Sequence, residues 1–239
     1  MFPGFTEDTV QFFLDIRFHN DVAYMHAHHD EYVQKVQQPF YRLISELSPT
    51  MLAIDPDLEL RPNKCLARIN RDTRYTTDKS PYRDHLWAAF RRAGVDKYGQ
   101  PFYWFEFGPD QLSWGVGVWG QDRAVMNAFR LKLIHESERV ISLFGRMNRL
   151  KVALDGDPAP RMKVPEEVPE ALRPAYRLKS IYFEQTGIDY SLAFTDRLAE
   201  RVARDCKAMK PAYLLLKECA QSVAQEAPSP ARRADRSDF

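Results

Sequence analysis

Between Arg68 and His85 the chain sets five cationic side chains (Arg68, Arg71, Arg74, Lys79, Arg83) against three anionic ones (Asp72, Asp78, Asp84). Two tyrosines and one proline punctuate this segment. Arg71 and Arg74 stand three apart, so a turn can bring their guanidinium groups together. Each can hold a carboxylate or phosphate through two parallel hydrogen bonds. Asp72 and Asp78 can orient those arginines, or one of them can act as a base. Lys79 adds a point charge, and Tyr75 and Tyr82 add hydroxyls. The composition suits a small anionic or phosphorylated ligand, bound by Arg68, Arg71, Arg74, Lys79 and Tyr82. The same residues equally suit a self-satisfied ion-pair network that pins the loop to the fold.

Glu106 is a second candidate, a lone carboxylate inside Tyr103-Trp104-Phe105-Glu106-Phe107. A carboxylate there faces water, finds a cation or has its pKa raised by burial. Pairing with Arg68 or Arg71 across a sheet is the expected arrangement, since buried charges need partners. Asp72, Asp78 and Glu106 are therefore the candidate acid–base groups. His85 and His19 are isolated histidines able to serve as bases. His26, His28, His29 and Asp30 do not converge as three or four ligands on one helix face, so no metal site is expected. No cofactor is expected either, because no Walker-type phosphate loop, dinucleotide fingerprint or nucleophile elbow occurs.

The totals narrow the class further. Lys and Arg number 34 against 33 Asp and Glu, a net charge of +1, which argues against a mainly electrostatic nucleic-acid binder. No run approaches the ~18 apolar residues of a membrane span. The three cysteines are widely spaced, and Phe2 to Asp8 lacks the charged start and apolar stretch of a signal peptide. A cytoplasmic protein with reduced thiols is expected.

Period and punctuation give the elements that must position these groups. Helices are expected over 7–18 with Thr6 as cap, over 21–48 with a kink or break at Pro39, over 122–136 behind Asp122, over 138–147, from Thr195 to 208 and from Pro211 to 223. Pro49, Pro56 and Pro62 mark the connection after the second helix. Alternation predicts strands over 64–70, 102–107, 112–119 and 177–185, residues 85–92 read as strand or helix with strand favoured by the two strands that follow, and a short helical turn is expected at Ser80-Pro81. Gly108-Pro109-Asp110-Gln111 turns a hairpin, and Gly115 and Gly117 leave one strand face open to close approach. Residues 155–174 read as a surface loop. The order indicates an α+β fold, an antiparallel sheet of about five strands packed with helices. Residues 1–225 read as one domain, and 226–239 as a disordered tail.

The run Arg71-Asp72-Thr73-Arg74-Tyr75-x-x-Asp78-Lys79-Ser80-Pro81-Tyr82 resembles the signature R-D-T-R-F-x-x-D-K-x-P-Y. That signature marks a widespread bacterial and fungal family of conserved hypothetical proteins with a domain of unknown function. Tyr75 replaces the usual phenylalanine and Ser80 a common threonine. The resemblance runs from Phe5 and Asn20-Asp21 through Tyr32, Pro39, Tyr103–Phe107 and Gly115–Gly117 to Arg130. Tyr24-Met25 stands where the family usually has Trp-Phe. It implies membership and carries no activity with it. Two functions stay open: an enzyme acting on a small anion, or a non-catalytic binding or adaptor protein. In the second, Trp87, Trp104, Trp114 and Trp119 would form a recognition face and the arginines would grip an acidic partner or a nucleic-acid backbone.

Overall fold

The computed structural model describes residues 1–74, 77–95, 98–118 and 120–226. Tyr75, Trp119 and residues 227–239 of the expected tail lie outside them. The fold is α+β. Five strands form one antiparallel sheet: β1 (Leu86–Arg91), β2 (Pro101–Gly108), β3 (Gln111–Val118), β4 (Val152–Asp155) and β5 (Tyr182–Gln185). Their spatial order is β1-β2-β3-β5-β4.

Strand β2 has hydrogen-bonded neighbours on both sides, β1 and β3. Its alternation sends Tyr103, Phe105 and Phe107 into the core, all fully buried. Trp114, Val116 and Val118 of β3 join them. The helices α5 (Arg197–Ala208) and α6 (Lys210–Glu226) close over this face. Tyr103 Oη donates to the Cys206 carbonyl at 3.2 Å, and Trp114 Nε1 donates to Asp205 Oδ2 at 3.2 Å. Tyr103 also stacks on Tyr213 at 5.3 Å. The helices α3 (Arg123–His135) and α4 (Ser137–Arg149) add Phe129, Leu133, Val140 and Met147 to the same core. Asp122 caps α3 as expected, accepting from the Val125 amide at 2.9 Å.

Helix α1 (Glu7–Phe18) follows Thr6, whose side chain makes no capping bond. After two short helical pieces, a π-helical turn at Tyr32–Gln37 runs into α2 (Gln38–Ile54). Pro39 explains the local change. It has no N–H for the Lys35 carbonyl, and the buried Thr9 hydroxyl donates to that oxygen at 2.6 Å. Helix α2 does not stop before Pro49 but continues to Ile54. Pro49 and Ser45, the residue whose carbonyl loses its helical partner, are both exposed. Meanwhile Leu47, Met51 and Ile54 extend the buried stripe of Phe40, Leu43 and Ile44.

Other expectations are corrected. Residues 64–70 do not form a strand. Proline opens a four-residue helix at Pro62–Cys65, and only isolated bridges follow, Leu66 to Ala88 and Asn70 to Tyr82. Ser80-Pro81 starts no helix, because the chain pairs there instead: the Arg71 amide bonds the Pro81 carbonyl and the Arg83 amide bonds that of Ile69. The strand expected from 177 begins at Tyr182, and β4 was not anticipated. Thr195 turns its hydroxyl to the Leu192 carbonyl, and Asp196 takes the cap position of α5.

Asp55, just past α2, holds three parts of the fold together. Its buried carboxylate accepts from Tyr213 Oη and Lys217 Nζ of α6, each at 2.6 Å, and lies 4.0 Å from Arg92 Nε. Burial pushes this carboxyl up, but the Lys217 and Tyr213 hydrogen bonds outweigh it and hold it below the usual range. Asp55→Ala strands the Lys217 charge and should cost about 3 kcal/mol in urea unfolding. Asp57→Ala, which removes an exposed partner of Arg92, should cost about 0–1 kcal/mol.

Candidate functional site

The sheet face opposite the core holds a cleft of about 940 Å³. The strand register lays this sheet face out in three rows, and the cleft lies over their Trp87, Glu106, Ser113, Trp104, Glu184, Phe102 and Tyr182 side chains. Trp87, Glu106 and Ser113 form the first, and Ala89, Trp104, Gly115, Glu184 and Ala153 the second. Arg91, Phe102, Gly117, Tyr182 and Asp155 form the third. The two glycines determine its floor. A Cβ on Gly115 would collide with the Trp104 ring and the Phe183 carbonyl, and one on Gly117 with the Tyr182 ring and the Ile181 carbonyl. Each aromatic ring therefore lies low across a glycine, and the two rings meet edge to face at 5.8 Å. Asp110 and Gln111 of the hairpin turn and Ile188 and Tyr190 after β5 make the rim. Tyr190 Oη fixes its side by donating to the Gly108 carbonyl at 2.8 Å.

Glu106 reaches this floor at the end of a polar chain. Arg17 Nε donates to Asp84 Oδ2 at 2.7 Å, and Arg17 also binds Asp110 Oδ2 at 2.5 Å. Asp84 Oδ1 lies 3.0 Å from His85 Nδ1, and His85 Nε2 lies 3.4 Å from Glu106 Oε1. Gln111 Nε2 donates to the same Glu106 oxygen at 2.8 Å. The two carboxyls are driven apart. Burial raises Glu106 above the ordinary glutamate value against the pull of His85 and Gln111. Burial also acts on Asp84, yet hydrogen bonds from His85 and Arg17 hold it below the usual range. Opposed shifts in neighbouring acids are a mark of acid–base sites.

The charged segment folds back on itself. Segments 69–71 and 81–83 pair through the isolated bridge of Asn70 and Tyr82. Arg71 binds Asp78. Arg74 grips Asp72 with two bonds, Nε to Oδ1 at 3.0 Å and Nη2 to Oδ2 at 2.8 Å. Lys79 Nζ donates to the Thr73 carbonyl at 2.7 Å. The Arg74 contact holds Asp72 at about 2. The bond from Ser80, ahead of Arg71, keeps Asp78 low. Tyr82 is buried, with its backbone N–H and carbonyl both bonded to the Asn20 amide. Arg68 is exposed, and its carbonyl accepts from Arg83 at 2.9 Å. Arg83 also covers the Trp87 ring at 4.8 Å.

The expected pairing of Glu106 with Arg68 or Arg71 is not formed. Glu106 sits across from Trp87 and Ser113, so its reach is to His85 at the start of β1. The four tryptophans do not share one face, since Trp114 is fully buried in the core. Sequence reasoning did not find Asp84, Gln111, Tyr182 and Glu184 as site residues. The available signal was Asp84-His85 immediately before a strand, beside a strand carrying an isolated Glu106. Nothing local marks Glu184, which β5 delivers from far along the chain.

Gly115→Ala should displace Trp104 and cost about 2 kcal/mol, an overpacking penalty. Urea unfolding measures the cost, and the indole Nε1–H resonance of Trp104 should shift.

Among the described residues no helix is long and apolar enough to cross a membrane. No curated protein and no solved structure matches the chain. The family described as "Conserved hypothetical protein (DUF2461)" matches residues 8–214. Nearly the whole described chain, from the first turn of α1 into α6, carries that match, and the protein belongs to this family of conserved hypothetical proteins.

Proposed function

We propose that the chain is a cytoplasmic enzyme of one domain, residues 1–225, that performs general acid–base chemistry on a small molecule held in the aromatic cleft. The observation that carries this reading is the Asp84–His85–Glu106 chain ending at the cleft floor. Glu106 gives and takes the proton. With Nδ1–H donated to Asp84, His85 turns Nε2 to Glu106, so the imidazole is a positioning group. A carboxyl raised toward neutrality by burial is suited to that exchange. Three buried, unlinked cysteines accord with a reducing compartment.

The charged loop has a supporting role in this reading. Asp72 and Asp78 are held ionised by their partners, which makes them weak bases. Arg71, Arg74 and Lys79 are already occupied by loop acceptors. Their network fixes the hairpin whose end delivers Asp84 and His85 to β1. An anion clamp formed by these residues would have to break those bonds first.

Carboxyl-detected NMR should show Glu106 titrating above the ordinary glutamate value of 4.5, and higher still in His85→Gln. A midpoint at or below the ordinary value sinks the reading. The folded state binds the Glu106 proton more tightly than the unfolded chain does. This group therefore favours folding at low pH, and its contribution falls as pH rises through the unfolded value toward the raised one. Glu106→Gln should flatten that slope in urea midpoints. In a cell-extract incubation followed by mass spectrometry, wild type should deplete a metabolite that Glu106→Gln leaves intact.

A further inference from the structure

Resting on the reading of the cleft as the ligand site, we propose that its ligand is a small organic cation, an amine or quaternary ammonium. It would sit in the corner between Trp104 and Tyr182 with Glu184 as its counter-ion. Charge is the first ground. Glu106, Asp110 and Glu184 line the cleft, and among its described lining residues there is no lysine or arginine. A phosphate or carboxylate ligand would meet like charge with no clamp. Asp110 is paired with Arg17, and Glu106 accepts from Gln111 and faces His85.

Glu184 has no such partner among the described residues. It is half-buried in the middle row, and burial, Asp155 and Glu106 all act to raise it, with no cation opposing them. Asp155 stands one strand over in the neighbouring row. A half-buried carboxylate surrounded by acids is incomplete until a positive charge arrives.

Ring geometry is the second, independent ground. Trp104 and Tyr182 meet at 90°, so a ring face and a ring edge enclose a corner above the two glycines. Phe102 lies 5.9 Å from Trp104 on the same floor. Aromatic faces attract a cation through the ring quadrupole, most strongly when the site is partly desolvated. The corner is bounded by Glu184, which neighbours Gly115 across the ladder. A ligand with its cationic end there and a proton-bearing group toward Glu106 would span the first two rows. The ligand class therefore follows from the same floor that presents the acid.

The test is isothermal titration of the full chain at fixed ionic strength. The probes are tetramethylammonium chloride, putrescine, methyl β-glucoside and inorganic phosphate. Saturable binding of either cation, weakened at least ten-fold in both Glu184→Gln and Trp104→Leu, is the expected result, with phosphate and glucoside inert. Glu184→Gln should melt no lower than wild type, because it removes an unpaired carboxylate. If that variant fails to fold, Tyr182→Leu provides the second measurement. Failure of both cations to bind overturns the inference, as does equal affinity in the variants. Saturation by glucoside alone also overturns it while leaving the cleft a ligand site. The acid–base reading is judged separately by the Glu106 titration, which needs no ligand.

Discussion

Strand β2 lies between two partners, and every side chain it carries is committed to one of two faces. Tyr103, Phe105 and Phe107 enter the core, which obliges Phe102, Trp104 and Glu106 to stand together on the other side. The rest of the site follows from that obligation. A register slip of one residue would bury Glu106 among phenylalanines and turn Tyr103 and Phe105 outward, a loss no rearrangement of the loops could offset. Pairing on both edges makes the slip prohibitive, so the placement of Glu106 is as secure as the core itself. Gly115 and Gly117 on β3 complete the constraint, since any larger residue there would lift Trp104 and Tyr182 off the floor.

Charge is divided between two regions with different ends. In the loop before β1, cations and anions occur in sequence neighbours and neutralise one another over short distances. Exposed pairs of this kind contribute little stability individually. Here Arg71 with Asp78 and Lys79 with Thr73 link the two ends of the segment that precedes Asp84 and His85. In the cleft the acids come from two strands and the hairpin turn and have few cations to meet. Burial there acts on Glu106 and Glu184 without full compensation, and such groups are where a fold retains reactivity rather than stability.

Much of the architecture was legible in local pattern. The hairpin of β2 and β3, the Asp122-capped helix and the α+β class all rest on short-range rules of alternation, turn chemistry and capping, and these interactions occur between sequence neighbours. The failures have a common cause. Residues 64–70 alternate like a strand but have only isolated bridging partners, and Ser80-Pro81 resembles a helix start but its Pro81 carbonyl is taken by the Arg71 amide. Pro49 reads as a break but is tolerated because it and Ser45 are exposed. Each case was decided by what packs alongside, which the local run does not contain.

The sequence by itself determined the family membership, the alternation that separates Glu106 from the core and the two glycines that leave a face open. It also determined that Arg71, Asp72, Arg74 and Asp78 would lie close together, since residues that near along the chain cannot avoid it. Only the tertiary structure decided that those charges satisfy one another, that His85 rather than an arginine faces Glu106, and that Glu184 reaches the same floor. The reason is distance along the chain. Arg17, His85, Glu106 and Glu184 come from four separated segments, and strand pairing that joins such segments depends on the whole core.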